Sequence, residues 1–211
     1  MSIYDKTPNR KEIAKRIENC RLAGGRELDL SRLYMTEIPV EISGLKNLTC
    51  LNVSYNQQES LPDWIGNFTP LQFLNLRHCG LKPLPESMKN LSGLRTLYLG
   101  ANCLATLPEW LGGFSALEKL DISANEHFFI PEFIGNLKNL TALDLGHSGE
   151  RENQTVHHNI CSLDWQINRL DTLPDFLTGL PRLTFLLNII IIQQRKFRSG
   201  LESFQTLNIW T

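Results

Sequence analysis

The sequence predicts a right-handed α/β solenoid. A parallel β-sheet lines its concave face, short helical or 3-10 segments form its convex face, and a helix closes its N-terminal end. The first observation behind this is a period. Six aliphatic-proline pairs, at Ile38, Leu61, Leu84, Leu107, Ile130 and Leu173, each open a segment with apolar residues at i, i+4 and i+7; four of the five steps between them are 23 residues and the last is 43. A fixed period in this range marks stacked repeats. The second is a strand pattern ahead of each segment, and the third is an amphipathic stretch before the first repeat.

The chain begins with that stretch. Lys11 to Ala23 reads as a helix with Ile13, Ile17 and Cys20 on one side and Lys or Arg on the other. Its expected role is to cover the open apolar end of the stack, as terminal caps must. The first repeat is approximate: Gly25, Leu28 and Leu30 take positions 1, 4 and 6, and Leu33 stands at position 9.

The strand half carries an aliphatic at positions 1, 4 and 6, as in Leu48-Leu51-Val53, Leu71-Leu74-Leu76, Leu94-Leu97-Leu99, Leu117-Leu120-Ile122, Leu140-Leu143-Leu145 and Ile160-Leu163-Trp165. The alternation at 4 and 6 is a short strand with one buried face. Position 9 is Asn56, Asn102, Asn125 or Asn168, with Cys79 and Ser148 as exceptions. A buried amide there can satisfy backbone groups of its own turn and of the neighbouring coil.

The convex half follows. Leu61, Ile65 and Phe68 share one helical face, as do Leu107, Leu111 and Phe114. Pro62, Pro85, Pro108, Pro131 and Pro174 suit a first turn, where the missing N–H is not needed. Asp63, Glu86, Glu109, Glu132 and Asp175 follow them and match a positive helix end. Gly66, Asn67, Asn90, Gly113, Gly135 and Gly179 permit the turn into the next strand.

These residues, for example Leu94-Arg95-Thr96-Leu97-Tyr98-Leu99-Gly100-Ala101-Asn102-Cys103-Leu104 followed by Leu107-Pro108, resemble the leucine-rich repeat family in its 23-residue form. The likeness covers residues 25 to 183, and the Ile-Gly-Asn endings resemble intracellular Ras-associated and bacterial or plant members. The resemblance implies a horseshoe that binds proteins. The expected division is 1–24 as an N-terminal capping helix, 25–182 as repeats and 183–211 as degenerate C-terminal repeats or cap.

Two stretches depart from the period. The 43-residue step reads as two coils of 20 and 23 residues, the shorter having exchanged its Leu-Pro segment for the polar loop Gly149 to Asn159. His157 and His158 lie there, and His127 and His147 precede them; without Cys or carboxylates at ligand spacing they read as solvated residues, and no metal is expected. At the C-terminus Leu183-Leu186 starts another strand, the Ile189 to Ile192 run replaces a turn, and Phe204-Leu207-Ile209 recovers the 1-4-6 spacing. We read this as a degenerate cap with an extended edge strand; an array continuing past Thr211 is the alternative.

Composition narrows the function classes. With 211 residues, a net charge of −1 and 42% hydrophobic residues, the chain reads as one soluble array. It has no Lys/Arg run to suit nucleic acid or an anionic membrane. Met1 to Arg10 is too polar for a secretory signal, and Phe185 to Ile192 is too short for a membrane span. Five scattered cysteines (Cys20, Cys50, Cys79, Cys103 and Cys161) form no terminal cluster of the kind that closes secreted repeats, so a reducing cytoplasm is expected. A monomer is expected too.

No phosphate loop, nucleophile elbow or zinc helix occurs. The recurring Asp121, Asp144 and Asp164 at position 5 read as solvent-facing strand residues, and a bare curved sheet offers no cleft for acid–base work. No enzyme activity and no cofactor are expected. Binding is. Positions 3, 5, 7 and 8 line the concave face, and strands about 4.8 Å apart bring Tyr55, Phe73, His78 and Tyr98 into one patch beside Arg77. Aromatics and Arg dominate interface energetics. With Lys119, Asp121 and Asp144 they form the expected partner site, suited to a protein with an apolar centre and a basic flank. The alternative is a recognition arm of a larger GTPase, kinase or ubiquitin ligase.

Overall fold

The computed structural model describes residues 7–125, 130–146, 174–187 and 208–210. Among these residues eight strands of three residues each, β1 (Glu27–Asp29), β2 (Cys50–Asn52), β3 (Phe73–Asn75), β4 (Thr96–Tyr98), β5 (Lys119–Asp121), β6 (Ala142–Asp144), β7 (Phe185–Leu187) and β8 (Asn208–Trp210), form one parallel sheet in chain order. Each of the first six strands spans positions 3 to 5, and the inward residue at position 6 follows directly after it. Leu28, Leu51, Leu74, Leu97, Leu120 and Leu143 fall in register across the sheet and are all buried.

Opposite the sheet, the chain returns through 3-10 segments at Val40–Gly44, Asp63–Asn67, Glu86–Asn90, Glu109–Gly113, Glu132–Asn136 and Asp175–Gly179. The prolines sit one residue outside these segments, not in their first turn. Their backbone is extended, with φ of −60 to −73° and ψ of 129 to 148°, and each proline carbonyl accepts from the N–H three residues on. Proline therefore sets the angle of entry, and five residues close a single tight turn.

Between sheet and convex segments lies one continuous core. Asn56 ties two coils together: its Oδ1 accepts from Leu33 N (3.1 Å) and Met35 N (3.0 Å), and its Nδ2 donates to Leu30 O (2.9 Å) and Val53 O (2.7 Å). Asn102 makes the same four bonds one step later, to Cys79, Leu81, Leu76 and Leu99. Cys79 replaces the amide with a thiol that donates to Val53 O at 3.3 Å, and burial pushes that thiol up to about 12. Gln58 fills an interior position held by Met35, Leu81 and Leu104 in other coils, and neither of its amide atoms has a partner among the described residues.

The N-terminal helix α1 (Arg10–Leu22) buries Ile13, Ile17 and Cys20 against the first coil, as the sequence leads one to expect. Asn9 caps it, its Oδ1 accepting from Glu12 N at 3.2 Å.

The 43-residue step differs from expectation. β6 pairs directly with β7, with Ala142 opposite Phe185 and Asp144 opposite Leu187, and Thr184 N donates to Thr141 O at 3.0 Å. No coil stands between them in the sheet. The coil that extends the sheet is the one whose strand follows a complete convex segment, Pro174 and Asp175–Gly179. The polar loop from Gly149, the four histidines, the expected Ile160-Leu163-Trp165 coil with Asp164, and the Ile189–Ile192 run lie outside the described residues. In β8 the register also moves: Leu186 lies opposite Ile209, 23 residues on, so Ile209 takes position 4 where Leu207 was expected.

Candidate functional site

Position 5, at the end of each strand, is an Asx position with a structural task. The side-chain Oδ1 of Asp29, Asn52, Asn75, Asp121 and Asp144 accepts from the backbone N–H two residues on, at 2.7, 3.1, 3.1, 2.9 and 3.1 Å. Each acid or amide closes the turn that follows its own strand. Tyr98, and Leu187 and Trp210 at the ends of β7 and β8, are exceptions in this row.

The turn then places position 8 in the left-handed region: φ is 59° at Arg32, 56° at Tyr55, 51° at His78, 53° at Ala101 and 46° at Ala124. Such backbone costs on the order of 1 kcal/mol for a residue with a Cβ. It is held because each of these N–H groups donates to a carbonyl of the next coil, as Tyr55 N does to Arg77 O at 2.8 Å. The repeated conformation stacks the side chains of successive coils. The Arg32 guanidinium lies 3.9 Å over the Tyr55 ring, and Tyr55 stacks on His78 at 4.6 Å with 13° between planes.

A second cluster lies on the strands. Phe73 meets Tyr98 edge-on at 5.7 Å, and the Arg77 guanidinium lies 5.0 Å from the Tyr98 ring centre. Arg77 Nε donates to Asp121 Oδ2, and its Nη2 is 3.8 Å from Asp144 Oδ2. This reach crosses a whole coil. It is open because Gly100 stands between: a Cβ there would lie 2.4 Å from Asp121 Oδ2 and 2.7 Å from Ser123 Oγ. Burial pushes the Arg77 pKa down, but the Asp121 charge and hydrogen bond, and then Asp144, outweigh it, so the pKa ends above the usual arginine value.

Tyr55, Phe73, Arg77, His78 and Tyr98 are all half-buried on this face, in two stacks, Arg32–Tyr55–His78 and Phe73–Tyr98–Arg77. Lys119 is exposed at the start of β5. Asp121 and Asp144 are not the solvent-facing acids the sequence suggested. They are 1% and 8% exposed, because they cap their own turns and hold Arg77. The basic flank expected of a partner therefore loses its reason. Sequence reasoning also missed Arg32 as a ring partner and Gly100 as the opening. The available signal was a glycine at position 7, between an Arg at that position in one coil and an Asp two strands further on.

Among the described residues no three His, Cys, Asp or Glu side chains gather as metal ligands, and no helix is long and apolar enough to cross a membrane. Burial raises the Cys50 thiol pKa, as do the Glu27 and Asp29 charges next to it on β1.

Residues 64–165 match the family model described as a leucine-rich repeat region, and residues 47–68 match the single leucine-rich repeat model. No curated protein matches the chain. Among solved structures it is similar to the leucine-rich repeat protein LIC12759 of Leptospira interrogans, with 28% identity and a TM-score of 0.71. That likeness covers 88% of this chain and 42% of the other, so the chain spans less than half the length of that protein.

Proposed function

The chain belongs to the leucine-rich repeat family, whose domains generally mediate protein–protein interaction, and on that premise we propose that it is a non-catalytic module binding a protein through its concave face. The observation that carries this reading is the half-buried Phe73–Tyr98 pair beside an Arg77 that is already held in place. Aromatic anchors next to an ordered guanidinium lose little side-chain entropy on binding. The site comprises Tyr55, Phe73, Arg77, His78, Tyr98 and Lys119, with Asp121 and Asp144 acting through Arg77. The matching partner has an apolar centre, with acceptor oxygens for the remaining Arg77 N–H groups and for Lys119. Helix α1 and the residues up to 24 serve as the cap, 25–182 as the array and 183–211 as degenerate repeats or a cap.

The test is capture of the partner from native lysate by the wild-type chain, repeated with Phe73→Ala and Tyr98→Ala. Loss of capture with a melting temperature within a few degrees of wild type is expected. Capture that survives both changes overturns the assignment.

A further inference from the structure

The convex face carries its own row of residues. Trp64, Ser87, Trp110, Phe133 and Phe176 occupy the same place in the described 3-10 segments that begin at Asp63, Glu86, Glu109, Glu132 and Asp175, at steps of 23, 23, 23 and 43 residues. The four aromatics are partly buried against the core. Segments pack closely here: a Cβ on Gly112 would lie 2.8 Å from Phe133 O, and one on Gly135 would lie 3.3 Å from Phe176 Cδ2. Phe133 and Phe176 therefore each lean on a glycine of the coil before them.

Beside every member of the row stands an exposed acid: Asp63, Glu86, Glu109, Glu132 and Asp175. Glu86 pairs with Lys89 at 3.1 Å, while Glu109, Glu132 and Asp175 make no ion pair among the described residues. Lys138, a nearby base, donates instead to Gly179 O at 3.2 Å. The expected role of these acids at a helix end is weak, because five-residue 3-10 turns have little dipole to complement. Between the last two segments lies an open groove of about 660 Å³, lined by Ile130, Pro131, Glu132, Pro174, Asp175 and Phe176.

We propose that the convex face formed by Glu109–Gly113, Glu132–Asn136 and Asp175–Gly179 docks a basic polypeptide segment, its Lys or Arg side chains lying over the Trp110–Phe133–Phe176 row and its apolar side chains entering the groove. An aromatic ring with a carboxylate next to it is a cation site, since ring quadrupole and charge attract the same group. Three such units in line select a chain with several positive charges, and the groove distinguishes one that also carries aliphatic side chains. This surface lies on the opposite side of the coils from the concave site and is independent of it.

The test uses the full chain and three fluorescent amidated peptides of equal length, built from Lys-Leu, Lys-Ser and Glu-Leu repeats, followed by anisotropy at low and physiological salt. The Lys-Leu peptide is expected to bind about tenfold tighter than Lys-Ser, and the Glu-Leu peptide is expected not to bind. Glu132→Gln with Asp175→Asn should weaken Lys-Leu binding about fivefold without moving the melting temperature, and Phe73→Ala should leave it unchanged. Phe176→Ser, which also removes packing, is read only against its own melting curve. Absence of binding, equal binding of Lys-Leu and Glu-Leu peptides, or indifference to the acid substitutions overturns the proposal. Loss of binding in Phe73→Ala would do so too, and would assign the peptide to the concave face.

Discussion

Two rows of acids recur in this solenoid, one at the strand ends and one on the convex turns, and they have opposite fates. Asp121 and Asp144 are buried, accept from the backbone and hold Arg77. Glu109, Glu132 and Asp175 are exposed and without an ion pair among the described residues. In the sequence the first row looks like a binding surface and the second like helix-end complement. The physical difference lies in what stands one or two coils away: a glycine and an arginine beside the first row, aromatic rings beside the second. In a repeat, recurrence shows that a position matters to every coil, and the neighbours at the same place in adjacent coils decide how.

The largest expected effect is at Asp121. Asp121→Ala removes both the cap on Ser123 N and the anchor of Arg77, and should cost about 2–4 kcal/mol in urea unfolding. Asp121→Asn keeps an acceptor for the turn and removes the charge, so it should cost roughly half as much. Equal costs for the two would mean that Arg77 contributes nothing, and the contrast between the rows would shrink to the turn alone.

Gly100→Ala comes next. The new methyl would fall 2.4 Å from Asp121 Oδ2, so the carboxylate and the Ser123 hydroxyl must give way, at about 1–3 kcal/mol. In an Asp121→Ala background the same change should cost less, with only the 2.7 Å approach to Ser123 Oγ left, and a double-mutant cycle measures the coupling. Additive costs would place the strain elsewhere than in the Arg77–Asp121 contact.

The period, the 1-4-6 strand rule, the Asn ladder and the capping helix were all legible, because each is a local or 23-residue relation visible along the chain. The Asn ladder is the clearest case: one amide fills four backbone needs, so the residue type announces its role. The Arg77–Asp121 contact was hidden because it skips a coil and depends on a missing side chain at Gly100. The direct pairing of β6 with β7 was hidden for another reason. Ile160-Leu163-Trp165 satisfies the strand rule by itself, whereas joining the sheet between β6 and β7 is decided by the backbone pairing of Ala142–Asp144, which Phe185–Leu187 takes.

The ladder offers a smaller test of how far an interior position outranks a surface one. Cys79 donates to Val53 O as an amide would, but its sulfur is a weak acceptor for the N–H of Asn56. Cys79→Asn restores a strong acceptor at a fully buried site and should gain about 1 kcal/mol, read as a higher midpoint with unchanged m-value. Burial also predicts that native Cys79 resists alkylation near pH 9 while the half-buried Cys50 reacts first, with both reacting once unfolded. A destabilised Cys79→Asn variant would show that the turn has adapted to the thiol's size.

The smallest effect is the most informative about the second row. If Glu109, Glu132 and Asp175 serve the surface and not the coil, replacing each by its amide should change unfolding free energy by less than about 0.5 kcal/mol, with either sign. Removing three like charges along one line should even raise stability slightly at low salt, and that gain should vanish at high ionic strength. A loss of about 1 kcal/mol or more per site would return these acids to a capping role and erase the distinction between the rows. Stability indifferent to the acids, together with peptide binding that depends on them, is the combination that separates a surface built to bind from one that only closes a turn.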